Sequence, residues 1–175
     1  MFDKFGEFDS WKEINKAAEG QKAEGDTEAL KELAEENGIC QEDVEDYLDN
    51  TMDELCNPLT AAIGKLSVEK ENLKPKDIMI DWTEYVEGLC TDNLDVCLAV
   101  RKKGKSLKGC IAELLKWSYK NSHEIDDDIK KAAGINSANV KLGIPGVLNA
   151  IKIIKEYYLG GTNERRRRRQ IKSYA

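Results

Sequence analysis

The residues able to do chemistry are few: one imidazole, five thiols and three runs of charge. His123 is the single histidine and sits among acids in a predicted loop, which reads as a surface position rather than a general base. Cys40, Cys56, Cys90, Cys97 and Cys110 are odd in number and form no Cys-x-x-Cys pair. With one histidine available, a zinc site is not expected. Four of the five fall in apolar-periodic stretches, the pattern of buried, reduced thiols in a cytosolic protein. A Cys–His nucleophile would need a thiol beside His123 in space, and the local signatures of such enzymes are absent. Lys103-Gly104-Lys105-Ser106 lacks the upstream glycine and spacing of a phosphate-binding loop. Asp126-Asp127-Asp128 lacks the alternate spacing of a calcium loop and reads as the acidic start of a helix. No catalytic residue, metal or cofactor is therefore expected, and binding to another macromolecule is the function class that remains.

Charge is the feature that could select a partner. Residues 1–100 hold 26 acids and 9 bases, while residues 101–175 hold 7 acids and 18 bases, so the net −6 hides a dipolar chain. No Lys or Arg lies between Lys31 and Lys65. Inside that span Glu42, Asp43, Glu45, Asp46, Asp49, Asp53 and Glu54 are the candidate acidic binding residues. Helical spacing would present several of them together, at about 1.5 Å of rise per residue. Such a face could occupy a groove built for a nucleic-acid backbone, or could simply be solvated. Arg101, Lys102, Lys103, Lys105 and Lys108 form the candidate basic site, suited to RNA, DNA or an acidic protein surface. Its alternative reading is intramolecular compensation of the acidic half. Arg165–Arg169 form a third run in a tail expected to be disordered.

The elements that must position these residues read as helices. Apolar residues make up 41% of the chain, charged residues 34%, and only three prolines occur, which favours helix over sheet. Ser10-Trp11-Lys12-Glu13 predicts a capping box opening a helix that ends near Gly20. Asp26 caps a second, with Ala29, Leu30, Leu33 and Ala34 on one face and Gly38 beyond its end. A third starts near Gln41 and carries Val44, Tyr47, Leu48, Met52 and Leu55 at helical spacing. Pro58 suits the first turn of a fourth, running through Leu66, and Lys74-Pro75 breaks the chain. Ile78, Trp82, Tyr85, Val86 and Leu89 mark the next helix. Asp92 is the predicted cap of a segment with Leu94, Cys97, Leu98 and Val100. Ser106 caps the clearest amphipathic helix, with Leu107, Cys110, Ile111, Leu114 and Leu115 on its apolar face. Asp126 caps a short helix ending at Gly134. Val140–Ile144 predicts a brief extended piece, and Val147, Leu148, Ile151, Ile154 and Tyr158 form the stripe of a last helix.

Two stretches resemble helix-turn-helix corners. The first, Leu33–Leu48, would offer phosphates an acidic second helix and should be repelled by them. The second, Ile129–Val140, would present Ser137, Asn139 and Lys141, yet Gly143–Gly146 cuts it short. An ordinary helical corner is the simpler reading of both.

Several blocks carry a family resemblance. The opening Met1-Phe2-Asp3-Lys4-Phe5-Gly6-Glu7-Phe8-Asp9-Ser10 resembles the start of a group of small proteins of gut Firmicutes phages and conjugative elements. Leu33–Ile39, Pro58–Leu66, Arg101–Gly109, Leu142–Gly146 and Glu156–Gly160 continue the likeness over most of residues 1–160. The arginine tail departs from it. Members of that group resemble anti-CRISPR proteins that inhibit type II RNA-guided DNA nucleases, and the latter part is similar to the conjugation-associated PcfK-like family. The resemblance implies a type II CRISPR effector nuclease as partner, in complex with its guide RNA, and brings no catalytic residues.

The expectation is a mainly α, compact multi-helix protein, with a small N-terminal helical subdomain and a brief extended piece near 140–144. Its divisions would be an acidic region at 1–56, a main helical domain at 57–160 and a basic tail at 161–175. No stretch approaches the roughly 20 apolar residues of a membrane span, and the acidic N-terminus is not a signal peptide. A cytoplasmic location is expected, and a homo-oligomer is compatible with the sequence. Inhibition of a nuclease by occlusion is one expected function. A nucleic-acid-binding accessory role on a mobile element, through the basic cluster, is the other.

Overall fold

The computed structural model describes residues 2–160; the predicted basic tail, Arg165–Arg169 included, lies outside them. The described chain is mainly helical. Its elements are α1 (Trp11–Glu24), α2 (Thr27–Glu36), α3 (Gln41–Leu48), α4 (Pro58–Leu73), α5 (Ile78–Asp92), α6 (Leu94–Arg101), α7 (Leu107–Lys120), β1 (His123–Glu124), α8 (Asp127–Ala132), β2 (Lys141–Leu142) and α9 (Val147–Leu159).

Local chemistry sets most of the boundaries. Ser10 Oγ accepts from the N–H of Glu13, and the Glu13 carboxylate accepts from the N–H of Asp9, one residue beyond the usual reciprocal partner. The helix does not stop at Gly20. It runs to Glu24 and closes on Gly25, whose φ of 73° is left-handed, because glycine is tolerated mid-helix for about 1 kcal/mol whereas the αL cap favours it. Asp26, Asn57 and Ser106 cap α2, α4 and α7 through side-chain oxygens, and Pro58 occupies the first turn of α4. Asn93, not Asp92, caps α6: its Oδ1 accepts from the N–H groups of Asp95 and Val96, while Asp92 ends α5.

The third helix is shorter than its apolar spacing predicts. Asn50 turns left-handed (φ 61°), and the N–H groups of Thr51 and Met52 both donate to the carbonyl of Asp46. Leu55 is still buried, but from an irregular segment, and Met52 is half-buried there. In the opposite sense α4 continues to Leu73, where Lys74 caps it in the left-handed region ahead of Pro75.

Buried apolar side chains form two clusters. One gathers Ile14, Leu30, Leu33, Val44, Tyr47 and Leu55 from α1–α3 and the segment after them. The other gathers Leu66, Trp82, Val86, Val96, Leu107, Leu114 and Ile154 from α4–α7 and α9. Helix α4 belongs to both: Ala61 packs in the first and its neighbour Ala62 in the second. Gly64 lets α4 approach the corner between α2 and α3 closely, because a Cβ there would collide with the carbonyl of Asn37. Gly38, at φ 65°, faces it from the other side.

Several residues placed on the core face by sequence are in solvent. Leu94, Leu98, Leu115, Val147 and Leu148 are exposed. Residues 133–140 form no second helix; the extended piece instead pairs antiparallel with β1, His123 opposite Leu142 and Glu124 opposite Lys141.

Candidate partner-binding surfaces

The acidic candidates lie on α3 and the segment that follows it. Glu42, Glu45, Asp49, Asp53 and Glu54 are exposed, and Asp43 and Asp46 are half-buried. Val44 and Tyr47 turn into the N-terminal cluster, which leaves the acidic side chains on the outer part of the helix. Among the described residues none of these seven carboxylates has a Lys or Arg within ion-pair distance. Lys22, near the end of α3, donates to the Tyr47 carbonyl at 2.5 Å and to Asn50 Oδ1 at 2.9 Å instead. Asp43, Asp53 and Glu54 also border an open cleft of about 600 Å³, floored in part by Met52, Leu55 and Cys56. The arrangement brings acids from helix and loop onto one cleft, which helical periodicity alone does not reveal.

The basic candidates separate into two groups. Arg101 and Lys105 are structural. Arg101 is 1% exposed, and its Nη2 donates to Oδ1 of the equally buried Asn37 at 2.5 Å, so it does not belong to a surface site. Burial pulls its guanidinium pKa down, opposed by Cys56, Glu7 and Glu69 nearby. Lys105 donates to the carbonyl of Tyr157 at 2.5 Å and lies over that ring. Lys102, Lys103 and Lys108 remain exposed, with no carboxylate within ion-pair distance among the described residues.

The loop between α6 and α7 that carries two of these lysines is held from beneath. Lys65 is fully buried on α4 and donates to Glu7 at 2.5 Å and to the carbonyls of Lys105 at 2.7 Å and Lys102 at 3.1 Å. One turn on, Glu69 accepts from the N–H of Leu107 at 2.6 Å. The N–H of Lys103 donates to Asp9, and that of Ser106 to the Tyr157 hydroxyl. Burial pushes the Glu69 carboxyl up, against the lowering effects of the Leu107 N–H and of Lys65. Sequence reading missed these anchors. The one available signal was Ala61, Lys65 and Glu69 recurring every four residues, which sets two ionisable groups on a stripe shared with a core alanine.

Burial pushes the thiols of Cys56, Cys90 and Cys110 up to about 12 and raises that of Cys97, so they are protonated at neutral pH. Cys40 and His123 are exposed. Among the described residues no three metal-ligating side chains are grouped to hold an ion, and no helix is long and apolar enough to cross a membrane. Comparison with known proteins brings no relative: no family model matches the sequence, and no curated protein or solved structure matches it.

Proposed function

We propose that this protein is a non-catalytic inhibitor of a type II RNA-guided DNA nuclease in the bacterial cytoplasm, and that its acidic α3 face occludes the channel that takes target DNA. The observation that carries the reading is the run of carboxylates from Glu42 to Glu54, on the outer part of α3 and the segment after it, with no Lys or Arg at ion-pair distance among the described residues and three of them bordering one cleft. On α3 and its C-cap Asp49, Glu42–Glu45, Glu42–Asp46, Asp43–Asp46 and Glu45–Asp49 are like-charge neighbours at i,i+3 or i,i+4, a spacing that destabilises a helix. A fold gains nothing from that repulsion, whereas a positively charged nucleic-acid channel would relieve it. The resemblance of the opening, Leu33–Ile39 and Arg101–Gly109 blocks to anti-CRISPR proteins points to the same target class.

The test is plasmid cleavage by a reconstituted type II nuclease and guide, with the protein added before DNA. Wild type should protect the plasmid in a dose-dependent way and co-elute with the guide-loaded nuclease. A folded variant carrying Glu42→Lys, Asp43→Lys, Glu45→Lys and Asp46→Lys should lose at least tenfold in potency. Equal potency of the two overturns the acidic-face mechanism, and no protection across several nuclease orthologues overturns the target.

A second reading, a nucleic-acid-binding accessory of a mobile element, is favoured by Lys102, Lys103 and Lys108 alone. Its basic site is smaller than the sequence suggested, because Arg101 and Lys105 are engaged within the protein.

A further inference from the structure

We infer that residues 2–7 form an autoinhibitory strap: Glu7 occupies the buried ammonium of Lys65, and opening the strap gives that cation to a phosphate at the α6–α7 loop. No residue of the strap lies in a helix or strand, and none is fully buried. Among the described residues its backbone takes no part in backbone–backbone hydrogen bonds. Side chains of α2 anchor one end. The Glu36 carboxylate accepts from three successive N–H groups, those of Asp3 at 2.8 Å, Lys4 at 2.6 Å and Phe5 at 3.0 Å. Lys4 also pairs with Glu32, one turn earlier on the same helix. Hydrogen bonds to an ionised carboxylate are among the stronger ones, so Glu36 is the main hold on this end.

Beyond Gly6, whose φ of 76° is left-handed, the strap lies over two buried cations. Lys65 donates to Glu7 at 2.5 Å, and its side chain is 0% exposed while that of Glu7 is 31% exposed. The Phe2 ring centre lies 5.6 Å from the Arg101 guanidinium. The same Lys65 ammonium donates to the carbonyls of Lys102 and Lys105, which places it directly against the loop whose Lys102 and Lys103 are exposed. A surface segment with few buried contacts can open while the core stays folded. Once Glu7 is withdrawn, the ammonium keeps only neutral carbonyl acceptors, and a buried cation in that state is costly.

Hydrogen bonding selects the ligand. Arg101 is 1% exposed, yet its Nε and Nη1 have no acceptor among the described residues. The closed strap therefore covers a place that is short of acceptors. A phosphate carries more acceptor oxygens than one carboxylate and suits both an ammonium and a guanidinium. The exposed Lys102 and Lys103 have no carboxylate at ion-pair distance among the described residues and would draw such an anion to the loop. The carrier of the phosphate rests on the second reading of function, in which the loop lysines meet a nucleic-acid backbone; the strap itself does not.

The test is acylation of Lys65 by an amine-reactive reagent, read by mass spectrometry on the full chain with and without Glu36→Gln. That substitution loosens the strap from α2 and leaves Glu7 and Lys65 intact. Lys65 should be protected in wild type and acylated about tenfold faster or more in the variant, with circular dichroism unchanged. Lys70, on the same helix and 40% exposed, should react alike in both. Inorganic phosphate should slow the variant's Lys65 again, and chloride at equal ionic strength should not. If Glu36→Gln fails to fold, Lys4→Ala, which removes the pair with Glu32, serves with the same expected direction. Lys65 acylation no faster in the folded variant, or faster but indifferent to phosphate, overturns the inference. Gel shifts on duplex DNA then identify the carrier. A salt slope steeper than that of wild type by about 0.9 for each added contact places the phosphate in nucleic acid. An unchanged slope with phosphate protection intact assigns the site to free phosphate and counts against the second reading alone.

Discussion

Arg101 at the end of α6 and Asn37 at the end of α2 are both buried and joined by a 2.5 Å hydrogen bond from Nη2 to Oδ1. The bond crosses between the two apolar clusters. Asn37 in turn donates from Nδ2 to the Leu33 carbonyl, so the guanidinium is tied to the end of α2. Nε and Nη1 of Arg101 have no hydrogen-bond partner among the described residues, and a buried cation in that state is costly.

Removing Arg101 should therefore have an asymmetric effect. Arg101→Ala leaves a cavity and an orphaned Asn37 oxygen, and should destabilise by about 2–4 kcal/mol. Arg101→Met fills the space without the charge and should cost clearly less. Chemical denaturation of the two variants checks this; equal losses would mean that the charge itself holds the seam.

Glu69 supplies a pH signature. Burial raises its carboxyl above the ordinary 4.5 in the folded state, so between 4.5 and that raised value the folded protein holds the proton more tightly than the unfolded chain. Its contribution to stability therefore grows as pH falls through that window and is lost as pH rises through the folded pKa. Glu69→Gln keeps an acceptor for the Leu107 N–H and removes the titration. Its melting temperature at pH 7 should equal or exceed that of wild type, with the difference shrinking as the pH is lowered toward 4.5. A difference that widens on acidification would mean that ionised Glu69 is the stabilising form.

Thiol reactivity should split four to one. Cys56, Cys90, Cys97 and Cys110 are buried with raised pKa values, and Cys40 is exposed. A thiol reagent at pH 7.5 should label Cys40 promptly in the native protein and the other four only as it unfolds. Rapid labelling of a second site would indicate local opening of the cluster that holds it.

The like charges on α3 carry a stability prediction separable from function. Glu45→Lys replaces repulsion toward Glu42 and Asp49 by attraction, and should raise the melting temperature by about 1–3 °C. The same substitution should weaken nuclease binding. A variant that is more stable and less active would place the carboxylates on the functional side of a stability–activity trade-off.

The sequence made the helices legible wherever a cap or a stripe marks them: Ser10, Asp26, Pro58 and Ser106 each open a helix as predicted. It was less informative about partners. Leu115 and Leu148 fit apolar stripes by spacing, but periodicity says which side of a helix a residue occupies and not whether another element covers that side. Arg101 failed for the converse reason. A run of bases reads as surface, and only the tertiary approach of Asn37 shows that its first member is enclosed. Lys65 and Glu69 were silent because a buried ion is stabilised by partners distant in the chain, here Glu7 and the backbone of the α6–α7 loop.

The basic run Arg101–Lys108 limits the salt dependence that nucleic-acid binding could show. Five phosphate-contacting bases on duplex DNA would give a salt slope of about −4.5, but three, Lys102, Lys103 and Lys108, would give about −2.7. Gel shifts of the protein on duplex DNA from low to physiological salt should show no slope steeper than that, if these lysines are the contact. Lys102→Ala, Lys103→Ala and Lys108→Ala together should flatten it, while Lys105→Ala should act mainly on stability, through Tyr157. A slope near −4.5 would require cations other than these three lysines. A flat profile would remove nucleic-acid binding through the loop and leave the acidic face as the surface to map.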